Sequence, residues 1–220
     1  MLMRLSMCIA ALAVSLFGQT AFAALAITEV ASTSGATEAE LSGLDWWELT
    51  NTGPSSVLLN GYEWEDNNPQ GPGVDTAIFP AGVTISAGES IIIHDGDSAV
   101  PAAFRSVWGL ANTVQVLNGD LFGGNNMFSG LSSGGDQVNL YDNMGSLVSS
   151  VTFPGSTTGV SFEWDTQGNS RGLSVVGEFG AYSAAGGRIG SPGAVPEPAT
   201  IALVGMAVCG LASCGLRRRK

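Results

Sequence analysis

The chain has 220 residues and a formal net charge of −11 at pH 7, which fits one folded domain, or at most two, plus targeting segments. Only 12% of its residues are charged and 31 are glycine, so a coiled coil, a helical bundle and a charge-driven disordered chain are disfavoured. Three basic residues against 18 acidic ones between residues 24 and 195 give this middle part a net charge of −15. Because nucleic-acid affinity comes mostly from Lys and Arg, we expect no nucleic-acid partner.

The middle part reads as short strands separated by glycine and proline turn signals. In chain order the predicted strands are 25–30, 45–50, 57–59, 62–65, 77–79, 83–85, 90–94, 114–117, 137–141, 147–153 and 160–164. One helix is predicted over 101–109, because a proline stands in its first turn and Phe104 and Trp108 lie four residues apart. This spacing predicts an all-β sandwich with one short helix.

Residues 1–23 have the pattern of a signal peptide. Arg4 precedes an apolar run over 5–17, and a polar break over 18–20 follows. The small residues Ala21 and Ala23 then occupy the −3 and −1 positions of a cleavage site for signal peptidase. An N-terminal membrane anchor is the alternative, and the apolar run is short for one.

The last 26 residues, 195–220, have three parts. They begin with Val195, Pro196, Glu197, Pro198, Ala199 and Thr200. An apolar stretch over 201–216 comes next, and four basic residues end the chain. Sixteen helical residues span roughly 24 Å against a hydrocarbon core of about 30 Å, which predicts a thin transmembrane helix with a cytoplasmic basic end. A plain C-terminal anchor would have the same pattern.

This order of a Pro-Glu-Pro signature, a short helix of small residues and an Arg-rich end resembles the PEP-CTERM sorting signal of Gram-negative bacteria. The resemblance implies transient anchoring in the inner membrane, recognition by an exosortase, and removal of the helix near Pro196–Pro198. The protein would then reach the outer surface or the extracellular matrix, much as a removable GPI signal acts. The three cysteines all lie within the two targeting segments, so the exported domain must be held by packing or by bound ions.

Short hydrophobic motifs follow one another through the first part of the exported chain. They are Ile27 to Val30, Asp45 to Asn51, Val57 with Leu59, Gly61 with Tyr62 and Trp64, Phe79 with Pro80, and Ile85 with Ala87, Gly88 and Glu89. This order resembles the lamin-tail domain, an immunoglobulin-like β-sandwich. The resemblance covers about residues 25–153 and implies a lamin-tail-like domain, which we place over 24–167. Residues 168–194 match no family motif, and we expect a last strand and a Gly-rich spacer there. It implies a binding or structural module and supplies no catalytic residues.

Tryptophan stands beside acidic residues at three places, and an aromatic ring next to carboxylates can stack on and hydrogen-bond a sugar. Strand alternation predicts core positions for Trp47, Trp64 and Trp164, but puts Trp46 on the polar face. Trp46, Glu63 and Glu163 are therefore the candidate ligand contacts. The competing interpretation of all three tryptophan motifs is ordinary strand packing.

The metal-binding candidates are carboxylates. His94 is the only histidine, so a multi-histidine site is excluded and a strand-end role is favoured for His94. Asp95 and Asp97 flank a glycine at a strand exit and supply the hard oxygen ligands that calcium prefers. Solvated acidic turns without a cofactor are the favoured interpretation, and we predict that any bound ion would be structural calcium at these two residues.

These observations favour an exported, non-catalytic surface module that binds or scaffolds extracellular polysaccharide or other surface proteins. The alternative is a secreted carbohydrate-active hydrolase using Glu63 or Glu163. The Gly-rich segment 118–135 is long for a connection, and such segments are either functional or mobile. The sequence leaves its role, the ligand and the oligomeric state open.

Overall fold

The computed structural model describes residues 25–32, 45–66, 76–96, 100–124, 128 and 130–194. These residues form fifteen strands and one α-helix, with 3-10 turns at Gly119–Leu121 and Ala185–Gly187. The strands are β1 Leu25–Ala31, β2 Trp46–Asn51, β3 Val57–Leu58, β4 Glu63–Glu65, β5 Ala77–Ile78, β6 Thr84–Ile85, β7 Ser90–His94, β8 Val116–Asn118, β9 Gly123–Gly124, β10 Gly135–Tyr141, β11 Leu147–Pro154, β12 Phe162–Trp164, β13 Ser170–Leu173, β14 Tyr182–Ser183 and β15 Ile189–Gly190. The helix α1 is Val100–Trp108 and lies between β7 and β8.

Two sheets pack face to face. The larger has the strand order β13-β12-β1-β2-β7-β8, and the smaller has the order β11-β10-β4-β5-β9. Pairing in both sheets is antiparallel except between β7 and β8. The predicted fold class, an all-β sandwich with one short helix, is therefore confirmed. Among the described residues, no helix has the length and apolar character needed to cross a membrane. The targeting segments 1–23 and 195–220, with the helix predicted over 201–216, lie outside these residues.

The main core lies between the sheets. Alternation along each strand sends every second side chain into it, so Trp47 and Leu49 of β2 meet Trp64 of β4. The Trp47 and Trp64 ring centroids are 5.3 Å apart. The tryptophans predicted to lie in the core, Trp47, Trp64 and Trp164, are all buried. Other buried residues of the strands and turns are Ile27, Leu49, Leu59, Phe79, Ile85 and Ile92. Ile92, however, belongs to a second cluster on the other side of the larger sheet.

That second cluster forms because α1 covers part of the outer face of the larger sheet. Val100, Phe104 and Trp108 form its buried stripe, as expected for residues spaced four apart. The helix ends at Trp108, and the following Gly109 has a φ of 64°, in the left-handed region that favours glycine just after a helix C-terminus. The Leu110 N–H then donates to the Arg105 carbonyl at 2.9 Å, which closes the cap.

The C-terminal part of the described chain folds onto the same outer face. The predicted last strand of segment 168–194 corresponds to β13, at the edge of the larger sheet. The Gly-rich part beyond β13 forms the β14–β15 hairpin. Two of its own residues, Arg188 and Ser191, are buried. We call residues 181–194 the C-terminal strap.

Candidate functional site

Trp46, proposed from the sequence as an exposed ligand contact, is a core residue. Its side chain is 1% exposed, and its ring makes edge contacts with Phe104 at 5.5 Å and with Trp108 at 5.8 Å. The alternation correctly placed Trp46 on the outer face of β2. The prediction of exposure was wrong because α1, which is distant in sequence, covers that face.

Glu63 and Glu163 lie on opposite outer faces of the sandwich. Glu63 precedes Trp64 on β4, and Glu163 precedes Trp164 on β12, and both tryptophan rings enter the main core. The two glutamates therefore face away from each other across two sheets, which lie about 10 Å apart in such sandwiches. This arrangement does not bring them together as a pair of carboxylates.

Of the two predicted calcium ligands after β7, Asp95 lies within the described residues and Asp97 lies outside them. Burial raises the pKa of Asp95, and the Asp120 carboxylate raises it further. His94 is buried, and its Nδ1 lies 2.5 Å from the Asp95 carbonyl oxygen. Within the part of the chain that the structure describes, no group of three or more His, Cys, Asp or Glu is placed to hold a metal ion. Calcium at Asp95 and Asp97 stays a prediction.

Three glutamates stand side by side on the outer face of the larger sheet. In the register of the sheet Glu29 of β1 lies opposite Glu163 of β12 on one side and opposite Glu48 of β2 on the other. A register shift between Ile27 and Glu29 turns Thr28 outward beside Glu48. All three carboxylates are at most 3% exposed. We call Glu163, Glu29 and Glu48 the carboxylate row.

The C-terminal strap donates hydrogen bonds to all three members of the row. The Ser191 N–H donates to Glu29 Oε1 at 2.8 Å, and the Ser191 hydroxyl lies 3.1 Å from Glu29 Oε2 and 3.2 Å from Glu163 Oε1. The Gly193 N–H donates to Glu48 Oε2 at 2.5 Å. The row therefore fixes the path of the strap over the sheet.

Hydroxyl groups of the sheet supply further donors. Ser161 Oγ donates to Glu29 Oε1 at 2.5 Å, Ser174 Oγ to Glu163 Oε1 at 2.8 Å, and Thr28 Oγ1 to Glu48 Oε1 at 2.7 Å. Such neutral donors satisfy buried carboxyl oxygens at modest net gain in free energy.

Burial dominates the titration of the row. It raises the pKa of Glu29 well above its ordinary value, and the neighbouring carboxylates Glu48 and Glu163 add to the rise. It raises the pKa of Glu48 to about 7 against the hydrogen bonds from Thr28 and Gly193. Burial also raises the pKa of Glu163, and the hydrogen bonds from Ser174 and Ser191 oppose that rise. Burial and a neighbouring carboxylate both disfavour the ionised form of a carboxyl group, which is why all three pKa values are raised.

Exposed large hydrophobic residues follow one another on β13 and in the loop after it, and we call them the apolar ledge. Its members, all large hydrophobic residues and all more than a third exposed, are Leu173, Val175, Val176 and Phe179. Phe179 is 56% exposed and has a φ of 47°, a left-handed conformation that is rare for a bulky residue. The Arg171 guanidinium carbon lies 3.9 Å from the centroid of its ring. Arg171, Phe179 and Glu163 line one small depression together with Ser191 and Ala194.

Of the row and the ledge, only Glu163 was a sequence candidate. The sequence carried a partial signal for Glu29 and Glu48, since both alternate with apolar core residues. Their juxtaposition follows from strand register, which is a tertiary property. Arg171 and Phe179 carried no motif at all. The predicted sorting residues Val195 to Thr200 and the cleavage residues Ala21 and Ala23 lie outside the described residues.

Comparison with known proteins bears on the fold more than on this site. No curated protein matches the chain. Residues 18–155 match the family described as Lamin Tail Domain, over more than half of the 220 residues. The matched segment contains Glu29 and Glu48, whereas Glu163, the ledge and the strap lie beyond it. The β-sandwich is consistent with the immunoglobulin-like fold of this non-enzymatic family. Because the match covers more than half of the chain, the chain belongs to the lamin tail domain family.

Proposed function

We propose that this protein is an exported, non-catalytic module of the cell surface that binds or scaffolds extracellular polymer. Signal peptidase cleaves it after Ala23, and an exosortase processes it near Pro196–Pro198, so that it reaches the outer surface of a Gram-negative bacterium. The signature of residues 195–220 supports this route. Membership of a non-enzymatic domain family supports a binding or structural role.

The single observation that carries the binding role is Phe179. A left-handed non-glycine residue costs roughly 1 to 3 kcal/mol and persists where the surrounding structure holds it. Phe179 bears this cost with more than half of its side chain in water, so core packing does not explain it. An aromatic face beside a guanidinium and carboxylates can stack on a sugar ring and donate and accept hydrogen bonds at its hydroxyls. We therefore propose the ledge and Arg171 as the polymer contact.

Binding of extracellular polysaccharide from the producing organism tests this assignment. Phe179→Ala should weaken binding about tenfold or more, because it removes the stacking face. Met144→Ala is the matched control, since Met144 is 82% exposed in the β10–β11 turn of the smaller sheet, whereas β13 belongs to the larger sheet. Equal binding by wild type and Phe179→Ala would contradict the assignment. Turnover of the polysaccharide, lost in Glu163→Gln without unfolding, would favour the hydrolase instead.

Mass spectrometry of the mature protein from its native host tests the route. The expected form begins at Ala24 and lacks the apolar stretch 201–216. Recovery of Arg217 to Lys220 on the surface-exposed mature protein would contradict sorting by an exosortase and would leave a simple tail anchor.

A further inference from the structure

The carboxylate row and the strap together have the features of a reversible closure. Three glutamates occupy directly opposed positions on three adjacent antiparallel strands, and such side chains have Cβ atoms about 4.5 to 5.5 Å apart. Like charges at this separation are destabilising, and more so where water is excluded. The three side chains are nonetheless at most 3% exposed beneath the strap.

The strap has two attachments of different character. Near β15 it is held by backbone groups, because the Ser161 N–H donates to the Ile189 carbonyl at 3.1 Å and the Ile189 N–H donates to the Gly159 carbonyl at 2.8 Å. These bonds do not depend on protonation. Beyond β15, the hydrogen bonds that join Ser191 and Gly193 to the sheet run to carboxyl oxygens of the row.

The charged and titratable groups around the row come from every neighbouring element. Burial is the main cause of the raised pKa of Glu163. Arg171 of β13 lowers this pKa, and Glu178 of the following loop raises it. Burial raises the pKa of Tyr182 of β14 to about 12, and the negative charges of Glu29 and Glu48 also raise it. Arg188 of the strap is buried and donates through Nη1 to the Ala185 carbonyl. Only Arg171 and Arg188 are cationic among these groups.

We propose that residues 190–194 form a proton-operated latch, which is closed over the carboxylate row while the row shares protons and opens when the row becomes fully ionised. Opening admits water to three adjacent anions and relieves their repulsion, whereas the β15 attachment stays in place. When the latch is closed, the strap stays on the sheet as far as its last residue, Ala194. When the latch is open, the chain leaves the sheet at Gly190. The proposal does not depend on the ledge or on the sorting route.

Hydrogen exchange of the full chain at pH 5.5 and pH 8.5 tests the latch. The protection factor of each amide is the exchange rate of an unstructured peptide divided by the measured rate at the same pH. The intrinsic pH dependence of exchange cancels in this ratio. A difference of one pKa unit between the closed and the open state changes the opening equilibrium about tenfold. The protection of the Ser191 and Gly193 amides should therefore fall by about tenfold or more at the higher pH, while the β10–β11 hairpin keeps its protection.

Glu48→Gln separates the latch from other causes. The neutral amide cannot ionise and can still accept the hydrogen bond from Gly193, so the fall in protection should shrink. Glu29→Gln makes the same test if Glu48→Gln does not fold, and Glu63→Gln on the other sheet should behave as wild type. Equal protection of wild type at both pH values would overturn the proposal. So would an equal loss in β10–β11, or an undiminished loss in the glutamine variants.

Discussion

At the scale of single residues, Trp46 and Trp47 show how one strand serves two cores. They are adjacent on β2, yet Trp47 packs between the sheets and Trp46 packs beneath α1. Alternation in the sequence was enough to predict that they face opposite ways. It was not enough to predict that both are buried, since that depends on which element covers the outer face.

Trp47→Ala should lower the free energy of unfolding by about 3 to 5 kcal/mol, because it leaves a large cavity between the sheets. Its ring contacts Trp64 and Phe79, so the cavity would lie in an aromatic cluster. Urea denaturation followed by circular dichroism measures the change. Met144→Ala, at an exposed position, should alter stability by less than about 0.5 kcal/mol. A comparable loss in both variants would contradict the assigned core.

Gly190→Ala should detach the strap from the sheet. A Cβ at this position would lie 2.5 Å from Glu29 Oε1 and 2.7 Å from Ser161 Oγ, and neither group can move freely because both are buried. We expect increased hydrogen exchange at Ser191 and Gly193 at every pH. Gly155→Ala is the control, since its nearest neighbour would be 3.7 Å away. Unchanged exchange in Gly190→Ala would show that the strap does not pack as closely as the structure has it.

At the scale of elements, the register of three strands creates the carboxylate row. Glu29 and Glu48 come from a segment that matches the family, and Glu163 comes from β12 beyond it. A shift of one residue in either pairing would turn a glutamate toward the main core. The hydrophobic inner face of each strand therefore helps to fix the row, because it excludes registers that are shifted by an odd number of residues.

The raised pKa values of the carboxylate row predict that the free energy of unfolding falls as the pH rises. Glu48 has a pKa of about 7 in the folded protein and about 4.5 when unfolded, so its proton stabilises the folded state fully below about pH 4.5. That contribution is lost as the pH rises through 7. We expect the free energy of unfolding at pH 8.5 to lie about 1 to 3 kcal/mol below that at pH 5.5. Urea titrations at both pH values measure it, and Glu48→Gln should reduce the difference. A stability that increases with pH over this range would contradict the buried row.

At the scale of the whole molecule, the charge is the dominant feature. The part between residues 24 and 195 carries −15, and like-charge repulsion should destabilise it at low ionic strength. The buried row adds to this tendency, because its ionised form increases the negative charge where water is excluded. A divalent cation bound to surface carboxylates would relieve part of the repulsion.

Calcium at Asp95 and Asp97 is the predicted site of such relief. Millimolar calcium, compared with chelator at constant ionic strength, should raise the midpoint of thermal unfolding. A hundredfold excess over Kd corresponds to about 2.7 kcal/mol. The double variant Asp95→Asn with Asp97→Asn should lose the increase. An unchanged midpoint in the wild type would rule out the site.

The sequence by itself determined the strands, the single helix and the sandwich of this lamin tail domain. Alternation, turn residues and the Phe104–Trp108 spacing are local signals, and each strand or helix predicted between residues 24 and 194 has a counterpart within the described residues. It could not predict the strands β9, β14 and β15, because two residues are too few to show an alternation. Only the tertiary structure decided that α1 buries Trp46 and that Glu29, Glu48 and Glu163 meet under the strap. Both outcomes depend on contacts between segments far apart in the chain, which local periodicity does not encode.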